Sequence, residues 1–475
     1  MPKNLILIHL ESISNTILWQ YRLELKTVWQ IMQQSFVYNR FYTTSTSTEM
    51  SLENLFHGDS STFDSSSVFS DKQMLVHNPS YFGDKVNTLR AALFFEGYLH
   101  PDRLNSVWEI PDRPELVHAK GSITARNQEE WYPVVRARMA EHRISGRPFF
   151  LHFISGVTHI TYEDQVKASA TSFSDRFRLG YLRLDSGIAR LLSILNEFNL
   201  LSNSVLVFYG DHGDELWSHG LNKGWCHATT PYASQCWTPL FIYDPDAPPG
   251  STDQLASMVD VRQTLVKRLF PAFSPEQHAL TDRWTNRFGD VFMPGGMPLG
   301  YPRSGVLPPF KTTPFSGVDL ASETRELAFS QALYGLQLEF NDIAKALTKG
   351  YAVTDGTYRV TVTSGGEDGR DGGVEFFCDM IDPTNSRNLL NFFKLDLNGD
   401  IREFYPPPQA VNEDFSLVFN AECIKHLTLT FHRLKNALHE YVRDKEEFAK
   451  KHNHGNIHVM PEGAFRHALK RPFKD

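Results

Sequence analysis

Three segments of the chain carry side chains suited to a metal: Glu11 after the apolar run Leu5 to Leu10, the pair Asp211-His212 after Ser204 to Tyr209, and His227 within Trp225-Cys-His-Ala-Thr-Thr-Pro-Tyr232. Carboxylate and imidazole together suit zinc or manganese better than calcium, as one ion or two. Between the first and second segments, residues 43–48 read Thr-Thr-Ser-Thr-Ser-Thr, an almost unbroken run of hydroxyls. A hydroxyl is a weak nucleophile at neutral pH, and metal coordination with a helix N-terminus can stabilise its alkoxide. Taken singly, each feature has a plain reading: Glu11 as a strand-end cap, a loop histidine as a hydrogen-bonding residue, any of the hydroxyls as a helix cap. The ordered combination points to a site.

The elements that must position these groups follow from the pattern around them. Residues 3–10 form a near-continuous apolar run, expected of a buried parallel strand, and Glu11 stands at its carboxyl end, where open α/β sheets bind ligands. Met50, Leu52, Leu55 and Phe56 fit one face of a short helix closed by Gly58, so the hydroxyl run meets that helix's N-terminus. Arg147 to Ile154 and Pro239 to Tyr243 read as further strands. Phe177, Tyr181, Leu184, Ile188, Leu191 and Leu195 recur at steps of four and three, an amphipathic helix. Strands alternating with helices imply a mostly parallel sheet covered on both faces.

From Tyr351 the texture becomes antiparallel, with a turn at Asp355-Gly356, a strand Val374 to Cys378, and a long helix with Leu427, Phe431, Leu434, Leu438 and Tyr441 on one face. The expected fold is therefore α/β: a catalytic domain over residues 1–345 and a smaller α+β subdomain, antiparallel sheet plus helix, over 346–475. The Pro- and Gly-rich stretch from about Phe288 to Val318 reads as a surface excursion, and the basic tail after Lys450 as a loosely packed end.

With 475 residues, 41% of them hydrophobic, the chain can bury a large core. Its 47 basic and 55 acidic side chains, a net charge of -8, give no general basis for holding nucleic acid. Cys226, Cys236, Cys378 and Cys423 lack the paired spacing of a zinc ribbon and read as reduced thiols. Leu5 to Leu10 is too short to span a bilayer or serve as a secretory apolar region of ~7–15 residues. A soluble cytoplasmic protein without an integral membrane segment is the expectation, an extracytoplasmic one if the N-terminus is processed or truncated.

Val207-Phe-Tyr-Gly-Asp-His-Gly-Asp-Glu215 resembles the metal-binding Asp-His-Gly element of sulfatases, phosphoethanolamine transferases and lipoteichoic acid synthases, in the alkaline phosphatase and sulfatase superfamily. Leu5 to Ser12 resembles their first strand with its metal-binding acid, residues 227–243 the segment that follows Asp-His-Gly, Ser257 to Leu265 a later helix, and Phe377 to Asn385 a C-terminal element. The resemblance implies an alkaline phosphatase-like fold, metal ligation by Glu11, Thr48, Asp211, His212 and His227, and a role for His159 against the phosphoryl or leaving group.

The chain departs from sulfatases at the nucleophile. They carry Cys or Ser, converted to formylglycine, in a Cys-x-Pro-x-Arg context; counting back ten residues from Gly58, that position is Thr48, with Met50 for the Pro and Leu52 for the Arg. Threonine cannot become formylglycine. The paired acids of the sulfatase first strand are here Glu11-Ser12, and the sulfate-binding lysine is here His227. These changes match the phosphotransferase branch, in which a threonine attacks phosphorus.

Thr48 and His159 are thus the expected catalytic residues, with Ser45, Thr46 and Ser47 as rival hydroxyls and Ser51 as an oxyanion or capping partner. The expected reaction is phosphoryl transfer through a covalent phospho-threonine, by a phosphodiester hydrolase or a phosphoethanolamine- or phosphoglycerol-type transferase. A sulfatase without formylglycine is the alternative, and a degenerate binding protein another. The substrate is a small-molecule, glycan or lipid-linked ester; a homo-oligomer stays open.

Overall fold

The computed structural model describes residues 3–58, 60, 89, 93, 98, 106–109, 123–159, 172–214, 227, 230–271, 279–280, 305–306, 315–332, 350–363, 372–404, 421–451 and 462–470. Its main sheet comprises β1 (Asn4–Leu10), β2 (Phe36–Tyr42), β3 (Ser106–Glu109), β4 (Ile123–Ala125), β5 (Phe150–Ser155), β6 (Ser204–Gly210), β7 (Leu240–Tyr243) and β8 (Gly250–Ser257). Their order is β4-β3-β5-β1-β6-β7-β2-β8. β1 is central, parallel to β5 (Leu5 opposite Phe150) and to β6 (Leu10 opposite Gly210).

Every residue of β1 and β6 is buried because alternate side chains enter opposite helical layers. Ile6, Ile8 and Leu10 pack with α1 (Asn15–Gln20), α2 (Lys26–Met32), α4 (Gln128–Ser145) and α5 (Phe173–Glu197). Leu5 and Leu7 pack on the other side with Leu55 and Phe56 of α3 (Thr48–His57) and Val261 and Leu265 of α7 (Asp260–Leu269). All six apolar residues of the expected α5 stripe are buried.

Several details differ from the pattern-based expectation. β7 runs antiparallel to both β6 and β2, so its N-terminal end, not its Asp244 end, lies beside the carboxyl ends of the other strands. β2 and β8 were not anticipated: β2 mixes exposed, half-buried and buried positions, and β8 starts exposed. The apolar residues of α3 serve two cores, since Met50 joins that of the smaller sheet.

That smaller sheet is antiparallel, β11 (Ala328–Ala332), β12 (Gly350–Thr354), β13 (Tyr358–Thr363) and β14 (Gly373–Cys378), and its first strand comes from before residue 345. α8 (Ala421–Lys451) buries Leu427, Phe431, Leu434, Leu438 and Tyr441 against it. Past Lys450, α9 (Glu462–Ala468) also packs here through Phe465, Ala468 and Leu469, so this part of the tail is docked rather than loose. The pairs β9 (Ala279–Leu280) with β10 (Gly305–Val306), and β15 (Phe393–Leu395) with β16 (Ile401–Phe404), are short ribbons. Most of the expected 288–318 excursion lies outside the described residues, although Phe315 within it is buried. Cys236 and Cys378 are buried free thiols, Cys423 is a half-buried one, and Cys226 lies outside the described residues. Among the described residues no helix is long and apolar enough to cross a membrane.

The two sheets are joined by a buried polar seam. Arg359 on β13 places Nε 3.0 Å from Asp379 Oδ2, and both side chains are fully buried. Arg359 also donates to the Pro231 carbonyl at 3.1 Å, and Asn385 bridges Asp379 (2.9 Å) to the backbone N–H of Ala233 (2.6 Å). Tyr232 donates to Glu375 of β14 at 2.7 Å. Removing one partner leaves an uncompensated buried charge, which costs about 3–5 kcal/mol. Asp379→Ala is therefore expected to lower unfolding free energy by that amount in guanidinium titrations; a loss within the ~0–1 kcal/mol of a surface pair would show that the ion pair is not structurally important.

Candidate metal centre and active site

The carboxyl ends of β1, β2, β5 and β6 converge, and each is followed by a segment carrying one of the anticipated residues. β1 delivers Glu11, and the next residue, Ser12, adopts a left-handed backbone with φ 59°. This bend lets the Ser12 N–H donate to Asp211 Oδ1 at 3.2 Å while its hydroxyl donates to Glu11 Oε1 at 3.1 Å. Backbone strain of this sort costs ~1–3 kcal/mol and persists where surrounding contacts over-determine it. β6 delivers Asp211 and His212. Gly213 follows because a Cβ there would lie 2.2 Å from the Ser234 carbonyl oxygen. Its N–H bonds to the Gln235 carbonyl at 2.8 Å, tying the loop to α6 (Ala233–Cys236).

β2 leads into the hydroxyl run. Thr43 Oγ1 and Ser51 Oγ lie 2.9 Å apart, and each donates to the Ser45 carbonyl at 3.0 Å. Ser51 is thus a loop fastener, not an oxyanion donor. Ser45 Oγ accepts from the Ser47 N–H at 3.2 Å. Thr48 Oγ1 alone of the run reaches the other anticipated groups, 3.4 Å from Glu11 Oε1 and 3.0 Å from His212 Nε2. Thr48 is also the one half-exposed residue of the run. It opens α3, whose N-cap Ser47 makes no side-chain capping bond, and the positive end of a helix dipole favours an anion.

His212 Nδ1 lies 3.1 Å from the Gly213 carbonyl, which can only accept, so Nδ1 carries the hydrogen and Nε2 presents a lone pair. That lone pair lies 3.1 Å from Asp211 Oδ2 and 3.8 Å from Glu11 Oε1. Beyond β5, Thr158 donates to the Glu11 carbonyl at 2.7 Å and sets His159 in place. His159 Nε2 is 3.0 Å from His227 Nε2, whose Nδ1 is 2.9 Å from Asp214 Oδ1. The His212 and His227 rings stack with centroids 4.3 Å apart. All six anticipated residues therefore stand in one cluster.

Two members were not anticipated. His9 stands two residues before Glu11 and shares its side of β1; its Nε2 is 3.0 Å from Asp211 Oδ1 and 3.4 Å from Glu11 Oε2. The strand period of two could have revealed it. Asp214 was in view within Asp-His-Gly-Asp but given no role.

Burial and the neighbouring Asp211 charge push the Glu11 carboxyl up to about 8. Burial works against ionising Asp211 too, yet His212 and His9 outweigh it and hold that carboxyl below the usual range. Burial pushes His212 down to about 4, against the attraction of Asp211. The His9 pKa is raised, because Asp211 and Glu11 overcome its burial.

A cation fits this arrangement. Asp211 Oδ2, Asp214 Oδ2 and both ring nitrogens of His9 are buried without a hydrogen bond. Two groups of donors, His9-Glu11-Asp211 and His212-Asp214-His227, have ligand atoms within 4.8 Å of one another. Buried polar atoms of this kind require partners, and the N/O donor set suits a divalent ion.

Human arylsulfatase A is 27% identical over 164 residues, 30% of this chain and 31% of its own length. An arylsulfatase of Clostridium perfringens is 37% identical over 62 residues, 13% of this chain and 12% of its own. The chain thus matches less than a third of the length of either relative. Among solved structures, yidJ from Bacteroides fragilis superposes with a TM-score of 0.51 at 11% identity, over 94% of this chain and 96% of that one. A protein solved with its substrate D-glucosamine-2-N,6-O-disulfate gives 0.50 at 12% identity, over 96% and 99%. These structural likenesses concern the fold. The sulfatase family profile matches residues 3–269, from β1 through α7 and more than half of the chain, and the chain therefore belongs to the sulfatase family.

Proposed function

We propose that the chain is a divalent-metal-dependent phosphoryl-transfer enzyme, a phosphodiester hydrolase or a phosphoethanolamine- or phosphoglycerol-type transferase, with Thr48 as nucleophile. The observation that carries the reading is the position of Thr48 Oγ1, between Glu11 Oε1 and His212 Nε2 at the start of α3. The residue type supports phosphorus over sulfur, since the formylglycine of sulfatases cannot be made from threonine. Sulfate-ester hydrolysis by an unmodified threonine is the second reading, favoured by the arylsulfatase names of the sequence relatives.

Glu11, Asp211, His212 and Thr48 would hold the ion, zinc or manganese by donor type. When bound, it lowers the pKa of the Thr48 hydroxyl and neutralises charge on the nonbridging oxygens. Thr48 Oγ1 releases its hydroxyl proton to water and attacks phosphorus, forming the Oγ1–P bond as the bond to the leaving oxygen breaks. The N-terminal N–H groups of α3 stabilise the phosphoryl anion. His227 gives its Nδ1–H to Asp214, so its bare Nε2 accepts from His159 Nε2–H. Protonated on both ring nitrogens, His159 gives that hydrogen to the leaving oxygen and takes a proton back from the attacking water or acceptor hydroxyl. A water or an acceptor hydroxyl then attacks the phospho-threonine and regenerates Thr48.

Three outcomes are expected. Thr48→Ala should lower turnover by on the order of 10³-fold or more, Thr48→Ser should keep part of it, and mass spectrometry of quenched enzyme should find the phosphoryl group on the peptide containing Thr48. An adduct on Ser45, Thr46 or Ser47 would move the nucleophile. Unaltered turnover in Thr48→Ala with no adduct would leave water as the attacking group. Chelation should abolish turnover of aryl phosphodiesters, and zinc or manganese should restore it; full activity in metal-free protein, or restored activity on aryl sulfates alone, would overturn the reading. Because Glu11 in the metal-free protein is protonated below about 8, cation binding releases its proton there. Affinity measured by calorimetry should accordingly rise with pH and level off above that value, and Glu11→Gln should remove the step.

A further inference from the structure

Each of the two buried carboxylates faces two ways. Glu11 Oε1 and Asp211 Oδ2 point toward Thr48 and His212, at 3.4 Å (Glu11 to Thr48) and 3.1 Å (Asp211 to His212). Their other oxygens, Glu11 Oε2 and Asp211 Oδ1, point toward His9 Nε2, at 3.4 and 3.0 Å. His9 thus approaches different oxygens of the two carboxylates from those that Thr48 and His212 approach.

From this partition we infer that Glu11 and Asp211 bridge two divalent cations, the second held by His9 Nε2, Glu11 Oε2 and Asp211 Oδ1. The inference rests on the metal centre proposed above and extends it.

Three observations support it. His9 is fully buried, and its Nε2 stands 3.0 and 3.4 Å from two carboxylate oxygens without meeting hydrogen-bond geometry to either. Donors about 2.0–2.1 Å from a tetrahedral ion lie roughly 3.3 Å from one another, and the distances around His9 match that edge. The His9 ring is also fixed: it stacks on Tyr209 with centroids 5.3 Å apart and planes within 11°, and the Tyr209 hydroxyl is 2.8 Å from His152 Nε2. Stacking of this kind holds the imidazole in one orientation. One nitrogen and two carboxylate oxygens suit zinc or manganese, and carboxylate-bridged ions lie about 3.5–4 Å apart in two-metal sites. A second ion there would draw charge from both carboxylates and set how strongly they bind the first.

The test uses the full chain, depleted with a chelator and titrated with Mn²⁺ alone, with bound metal counted by elemental analysis after gel filtration. Two ions per chain are expected for the unsubstituted protein and one for His9→Gln, with circular dichroism unchanged. A single ion in both proteins would overturn the inference while leaving the proposed function intact. No bound ion in either would overturn both. If His9→Gln fails to fold, electron paramagnetic resonance of the unsubstituted protein decides: an exchange-coupled manganese pair supports the second site, and the six-line spectrum of isolated ions excludes it.

Discussion

Two carboxylates, Glu11 and Asp211, are buried side by side at the carboxyl edge of the sheet, where like charges cannot both ionise without compensation. Their close partners among the described residues are His9, His212, the N–H and hydroxyl of Ser12, and Thr48. Much of the local structure serves this constraint. The left-handed bend at Ser12 turns an N–H toward Asp211, and the absence of a side chain at Gly213 lets the Asp-His loop pack flat on Ser234. A bound cation would offset the burial and the Asp211 repulsion that hold Glu11 in its protonated form, so folding the site and loading it are coupled.

The smaller sheet acts on the same site from a distance. The N–H of Thr46 bonds to the Gln331 carbonyl, the N–H of Gln331 to the Thr44 carbonyl, and Ser330 Oγ to the Thr43 carbonyl, so β11 docks edge-on to the hydroxyl run. Lys445 of α8 holds the Gln331 side chain at 2.9 Å. On the other side, Arg359, Asp379, Asn385 and Glu375 grip residues 231–233, which continue into α6 and its bond to Gly213. Thus the hydroxyl-rich loop that ends in Thr48 and the Asp-His loop, on separate strands of the large sheet, are both braced by the small one. This gives physical content to the Phe377–Asn385 resemblance: Asp379 and Asn385 form the buried polar joint.

Much of this was legible in the sequence. Buried parallel strands read as apolar runs, so β1 and β6 stood out with carboxylate and imidazole groups at their ends, and the stripes of α5 and α8 were visible as helical periods. The elements that escaped lack such a mark. β2 carries Asn39 and Arg40 among its aromatics, β8 begins Gly-Ser-Thr-Asp-Gln, and β11 is only Ala-Phe-Ser-Gln-Ala. Their strand state comes from pairing with distant partners, a tertiary effect that local propensity does not record. β7 was seen as a strand, but its direction depends on the route of the chain. His9 was hidden within an apolar run, where a lone histidine is ordinarily core.

The central place of β1 also has a consequence for how the molecule is made. Its neighbours are β5 and β6, so Leu5 waits for Phe150 and Val205 before its edges are satisfied. β2 waits longer still, for β7 and β8. During synthesis β1, which leads into Glu11, stays unpaired while the residues between it and β5 are translated. Long-range parallel pairing of this sort is slow and leaves apolar edges open to self-association. The site is thus assembled from the two ends of a long wait, and its yield depends on how well the unpaired β1 is kept from self-association in the interval.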